Sequence, residues 1–229
     1  MRQRGARPSP RHRLAGAAPH RILGTTPAQF LWKPAQLSMW LNDVDGDCVT
    51  AEEAFAKACY SPEIFITDDT VKDWATKNDV LNGTDLITVL DMMQTGGFQQ
   101  NDNTYNDGVI ISVNWTDTEI LQNAIVQGPV KIGIAANQLE DAIGTDDPPP
   151  SGWLATGFMP DSLQDHCTSL CGFGPIEWLL GQLGVKSQRH DLGYAMFTWN
   201  SIGVIDIPSL LAITGEAWLR NPTTIITGI

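Results

Sequence analysis

Cys48 is placed to do chemistry. It stands where the turn Asp45-Gly46-Asp47 gives way to CVTAEEAFAKAC, residues 48–59, whose apolar side chains recur near helical spacing and which ends before Ser61-Pro62. A thiol in the first turn of a helix meets unpaired backbone N–H groups and the positive end of the macrodipole, and both favour the thiolate. The competing reading is a small buried residue at a helix start, a common use of cysteine. A nucleophilic thiol also needs a base. His12 and His20 lie in an Arg-rich N-terminal run and His190 in the polar segment KSQRHDLG, whereas His166 falls in the strand-like stretch QDHCTSLCGFG. Strand alternation puts His166, Thr168 and Leu170 on one face and Cys167 and Cys171 on the other. His166 can therefore face a cleft while both cysteines pack behind it. A satisfied structural histidine is the rival.

The same stretches raise two metal readings. In NDVDGDCVTAEEAF, residues 42–55, Asp43, Asp45 and Asp47 fill the first, third and fifth places of a calcium loop. The sixth place, which needs Gly for a sharp turn, is Cys48, and the twelfth, which needs a bidentate Glu, is Ala54. Tight calcium binding is not expected. A zinc site on Cys48, His166 and the other cysteines is an alternative, but H-C-x3-C matches no common zinc spacing. No metal and no cofactor is expected.

Disulfides are constrained by reach. Cys167 and Cys171 in one strand lie about 13 Å apart, and Cys48 and Cys59 are separated by eleven residues of helix at ~1.5 Å each. Neither pair can bridge within itself. Cross pairs stay open, and free thiols are the simpler expectation.

With 229 residues and 42% hydrophobic content, the chain is long enough to bury a core. The net charge of −12 is unevenly spread. Seven of the 14 basic residues (Arg2, Arg4, Arg7, Arg11, Arg13, Arg21 and Lys33) precede the first acid, Asp43, so the remainder carries −19. Such a body argues against nucleic-acid and anionic-membrane partners. Residues 1–24 are rich in Arg, Pro, Ala and Gly, with no apolar run suited to a secretory signal. They are expected to form a disordered basic tail, with a transit peptide as the alternative. No run of 18 apolar residues occurs, so no membrane span is expected. A cytoplasmic location is slightly favoured.

The elements that must position Cys48 and His166 follow from periodicity and caps. Helices are predicted over 48–59, over DDTVKDWATKN with Asp68 or Asp69 as cap, and over TDLITVLDMMQT with Thr84 as cap. DGVIISVNW is predicted as a strand, TDTEILQNAIVQ as a helix with a Thr116–Glu119 capping box, and GPVKIGIAA as a buried strand. TDDPPPSG is a loop. QDHCTSLCGFG, GYAMFTW and EAWLR complete the strands. Helices crowd the first half and strands the second, an α+β pattern.

A cysteine opening a helix, then GPVKIGIAA, then DHCTSLCGFG, then a strand ending in Asn, resembles the papain-like cysteine protease family, over roughly residues 42–203. Some family landmarks differ: C-G-S-C-W is absent around Cys48, Asn-Ser-Trp-Gly is replaced by Trp199-Asn200-Ser201-Ile202-Gly203, and PIEWLLGQLGVKSQRHDLG is inserted before it. The resemblance points to a divergent bacterial branch. It implies a domain over 25–229, with a helical half at about 40–105 and a twisted antiparallel β half at about 106–229. It implies Cys48 as nucleophile, His166 as base, Asn200 as the residue that orients the imidazole, and Asn42, six residues before Cys48, as oxyanion donor. The implied activity is thiol hydrolysis of a peptide or other amide bond. A thiol acyltransferase and a catalytically silent binding module of the same fold are the alternatives.

Overall fold

The computed structural model describes residues 2–221 and 223–227. In chain order its elements are β1 (Ala6–Arg7), α1 (Arg11–Gly16), β2 (Phe30–Leu31), α2 (Cys48–Ala58), α3 (Asp68–Lys77), β3 (Thr84–Asp85), α4 (Leu86–Thr95), β4 (Phe98–Gln100), β5 (Asn103–Asn106), β6 (Ile110–Ser112), α5 (Thr118–Gln127), β7 (Val130–Ile134), α6 (Asn137–Ile143), β8 (Leu154–Ala155), β9 (His166–Pro175), α7 (Ile176–Gln182), β10 (Leu192–Thr198), β11 (Ser201–Asp206), α8 (Ile207–Ile213), β12 (Thr214–Arg220) and β13 (Thr224–Thr227).

The main sheet runs β6-β12-β7-β9-β10-β11-β8, with β2 added against β9. Its pairings are antiparallel except for β8 on β11. β9 sits centrally, buried from His166 to Gly174. Strand alternation lets it serve two cores. Cys167 and Cys171 pack with Cys48, Val49 and Phe55 of α2 and with residues of α3 and α4. Leu170 and Phe173 pack on the other side, with Leu121 and Ile125 of α5, Ile132 of β7 and Leu210 of α8. The α+β, papain-like architecture is thus present, with α2 laid against the middle of the sheet.

Helix caps differ from the sequence expectation by one residue each. Thr67, not Asp68 or Asp69, caps α3 by accepting from Thr70 N–H. Asp85, not Thr84, caps α4 by accepting from the Thr88 N–H, and both residues also pair with β1. Asp117, not Thr116, accepts from the Glu119 and Ile120 N–H groups at α5. The inserted segment after β9 forms α7, whose Ile176, Leu179 and Leu180 are buried, followed by a loop back to β10.

The largest departure is at the N-terminus. Residues 2–24 are not a disordered tail. β1 pairs in parallel with β3. Ser9 N–H donates to Glu216 Oε1 at 3.0 Å, His20 N–H to the Ser112 carbonyl at 2.7 Å, and Leu23 N–H to Asn123 Oδ1 at 2.9 Å. Arg4 and Arg13 pair with carboxylates on the body. Composition predicted disorder because this segment has few apolar side chains, but it docks through its backbone and its guanidinium groups, with Ala6 in the core and Leu14 and Ala17 packed against it.

Candidate active site

Cys48 is the first residue of α2 and is fully buried. Burial pushes its thiol up to about 12, with the Asp47 and Glu52 carboxyls reinforcing; hydrogen bonds from the backbone of Gly5 and Cys167 oppose only in part. Asp47 is the N-cap residue, yet its side chain makes no capping bond. Both of its carboxyl oxygens are buried without partners. Burial, followed by the nearby Asp45 and Asp43, pushes this group up to about 8. The acid form therefore predominates at neutral pH, and no full negative charge sits beside the sulfur.

His166 opens β9 and is also fully buried. Its Nε2 lies 2.8 Å from Thr198 Oγ1, and its ring stacks on Trp199 at 4.1 Å between centroids and 11° between planes. Nδ1 is buried and has no hydrogen-bond partner. In the tautomer whose Nε2–H donates to Thr198 Oγ1, Nδ1 is a vacant acceptor. Burial, aided by Arg4 and Arg2, pushes the imidazole down to about 3. Cys48 and His166 are thus both neutral here.

The β10–β11 connection explains this arrangement. Thr198 pairs with Ser201, leaving Trp199 and Asn200 as a two-residue turn with φ of 44° and 60°. Both sit in the left-handed region that such tight hairpins require. Asn tolerates it, whereas for Trp199 it costs about 1–2 kcal/mol. The stack on His166 and the Arg2 guanidinium 5.2 Å from the indole centre help to offset that cost. The turn ends β10 at Thr198, so Thr198 and not Asn200 holds the imidazole. Asn200 sits at the turn, half-buried. Sequence reasoning took the strand to end in Asn; the dipeptide Trp199-Asn200 between FT and SI was the available signal of a hairpin.

Asn42 is buried in the turn preceding α2, with its N–H on the Met39 carbonyl at 3.0 Å and its Oδ1 unpartnered. Its carbonyl accepts from Gln3 N–H at 3.0 Å. Asn42 and Cys48 therefore both meet residues 2–6, and Trp199, which stacks on His166, approaches the same segment.

That segment is tied to the body on several sides. Ala6 N–H donates to the Asp165 carbonyl at 3.2 Å, Thr84 N–H donates to the Gly5 carbonyl at 2.9 Å, and Trp199 Nε1 approaches the Gln3 carbonyl at 3.5 Å. Arg4 bridges Glu140, Asn137 and Asp165. The passage requires glycine: a Cβ on Gly5 would lie 1.6 Å from the Gly46 carbonyl oxygen, and one on Gly83 would lie 2.4 Å from the Gly5 oxygen. Gly83 also has φ of +100°. Nothing in the sequence of residues 2–9 distinguishes an occluding segment from a solvated one.

No family model matches the chain, and no curated protein matches it in sequence. Solved structures do resemble it. Xylellain, a cysteine protease from Xylella fastidiosa, superposes with a TM-score of 0.64 at 10% identity, covering 97% of this chain and 98% of that one. The ragweed pollen cysteine protease Amb a 11, in its proform, gives 0.63 at 12% identity over 91% and 72%. The Carica candamarcensis cysteine protease CMS1MS2, in complex with E-64, gives 0.61 at 11% over 86% and 99%. The chain has the fold of papain-like cysteine proteases. At these identities the likeness concerns fold alone.

Proposed function

We propose that the chain is a thiol hydrolase of peptide or other amide bonds, described here in a closed, latent form. The observation that carries this reading is that a helix-start cysteine and a buried amide both bond one strip of the chain's own backbone, which Trp199, stacked on an imidazole whose Nδ1 has no partner, also approaches. With residues 2–9 withdrawn, water would re-enter and the thiol and imidazole would move back toward their ordinary ranges. Nδ1 would then take the Cys48 proton as the sulfur attacks the acyl carbon. The imidazolium would return that proton to the leaving amine as the C–N bond breaks. Water, deprotonated by the same nitrogen, would release the acid from the thioester. Asn42 and the Cys48 N–H would hold the oxyanion. Thr198 would keep Nε2 protonated and the ring in line, with Trp199 shielding it.

The fold neighbours support a peptide substrate because each is named as a cysteine protease. No helix among the described residues is long and apolar enough to cross a membrane, and we propose neither membrane nor nucleic acid as a partner. A silent binding module is the second reading, favoured by the neutral, buried state of both groups. A chain lacking residues 1–9 separates the two when incubated with a peptide library and read by mass spectrometry. Cleavage that disappears in Cys48→Ser supports hydrolysis; no cleavage sinks it. Added hydroxylamine distinguishes an acyltransferase, which would form hydroxamates in preference to acids.

A further inference from the structure

The side chain of Arg4 is gripped by the body as a ligand would be. Its Nε donates to Glu140 Oε1 at 2.9 Å and its Nη2 to Glu140 Oε2, a two-pronged bond. Its Nη1 donates to Asn137 Oδ1 at 2.7 Å and to Asp165 Oδ2 at 2.8 Å. Every nitrogen of the guanidinium is therefore engaged. A carboxylate that accepts both prongs matches the planar fork of arginine and not the point charge of lysine.

The gripping groups are held in place by the body, not by the segment. Asn137 and Glu140 lie one turn apart on α6, which the buried Leu139 and Ile143 anchor. Asp165 directly precedes His166. Its N–H donates to the Ile134 carbonyl at 3.1 Å and its Oδ1 accepts from the Ala136 N–H at 3.0 Å, which leaves Oδ2 for the guanidinium. The distance from the chemistry is one residue, because the backbone of the adjacent Gly5 bonds the Cys48 thiol. Glu140 and Asp165 keep 30% and 22% of their side-chain surface open even with Arg4 in place, so a side chain arriving from solution can reach them. The acidic wall also continues beyond Arg4. Arg2, whose Nη2 donates to the Asp146 carbonyl at 2.9 Å, lines an open depression of about 420 Å³ together with Glu140, Asp141, Asp146 and Asp147.

We propose that Asn137, Glu140 and Asp165 form a subsite that selects arginine, and that the substrates are peptides carrying arginine where Arg4 now sits. A second basic residue two positions earlier would meet the wall that Arg2 lines. The inference rests on the hydrolase reading, under which residues 2–6 lie along the path a substrate takes past Cys48.

Binding is tested apart from catalysis. In the full-length Arg4→Ala chain the three groups lose their cation, and ethylguanidine matches the missing part of the side chain, with ethylurea as its neutral counterpart. In an NMR titration ethylguanidine should shift signals of residues 137–140 and 165, and ethylurea should bind about tenfold or more weakly, since a charge-assisted, two-pronged bond is lost. Adding Glu140→Gln should remove that preference. Absence of ethylguanidine binding, equal binding of ethylurea, or a preference that survives Glu140→Gln would each overturn the subsite. Substrate choice is read in the full-length Gly5→Val chain, in which the side chain would clash with the Gly46 carbonyl and displace the segment. Peptides cleaved from a library should carry arginine at one fixed place relative to the scissile bond, about tenfold or more above its frequency in the library. Cleavage without that preference would overturn the substrate assignment. No cleavage, with ethylguanidine still bound, would support the guanidinium site and count against the hydrolase reading instead.

Discussion

At residue scale, Asp47 and Thr198 have the clearest consequences. Asp47 titrates near 3.8 unfolded and is pushed up to about 8 by burial. The folded state therefore holds its proton longer, and this group subtracts stability as pH rises from about 4 through 8. Asp47→Asn keeps the shape and removes the ionisation. Its melting temperature should exceed the wild type's at pH 8, with the gap closing toward pH 4; a gap independent of pH would refute this account of Asp47. Thr198→Val should free the imidazole. In a chain lacking residues 1–9 it should slow Cys48 alkylation about tenfold, as loss of an orienting partner does. Asn200→Gly, which keeps the left-handed turn, should change it by less than about twofold. The reverse ranking would restore Asn200 to the role the resemblance implied.

At the scale of elements, the occluding passage is the testable part. Gly5→Val places methyl groups where the Gly46 carbonyl already stands. It should drive the segment from the cleft and speed alkylation of Cys48 in the full chain by roughly tenfold or more; an unchanged rate would mean that β1 does not guard the thiol. Much of the frame was legible from periodicity. α2 begins at Cys48 as the preceding Gly-Asp turn and the apolar spacing predict, β7 falls within GPVKIGIAA, and β9 covers DHCTSLCGFG from His166 and runs on to Pro175. Cap identities shifted because adjacent polar residues, such as Thr84 and Asp85 or Thr116 and Asp117, can each cap a helix start. The buried charges of α2 were not legible. A Glu-Glu…Lys pattern on a helix suggests a solvated face, and only the tertiary arrangement brings Lys131, Asp107 and Arg220 to cover it. Thr198 was missed for a similar reason, since its role depends on where a hairpin turns.

For the whole molecule, charge asymmetry becomes meaningful once residues 2–24 are seen to dock. Seven of 14 basic residues precede Asp43, and the rest of the chain is strongly acidic. Arg4 reaches Glu140 and Asp165, and Arg13 reaches Asp91, so this imbalance holds the segment to the body. These pairs are partly exposed and open to screening. Raising ionic strength from about 0.05 to about 0.5 M should increase Cys48 accessibility in the full chain and leave it unchanged without residues 1–9. The nucleophile itself is tested most directly by alkylating the chain that lacks residues 1–9 with iodoacetamide at pH 6 and mapping the labelled peptides. Cys48 should be labelled before Cys59, Cys167 and Cys171, at a rate roughly 10²-fold above that of the His166→Ala variant. A Cys48 rate that is the same with and without His166, or earlier labelling of another cysteine, would contradict the assignment of Cys48 and His166 as the working pair.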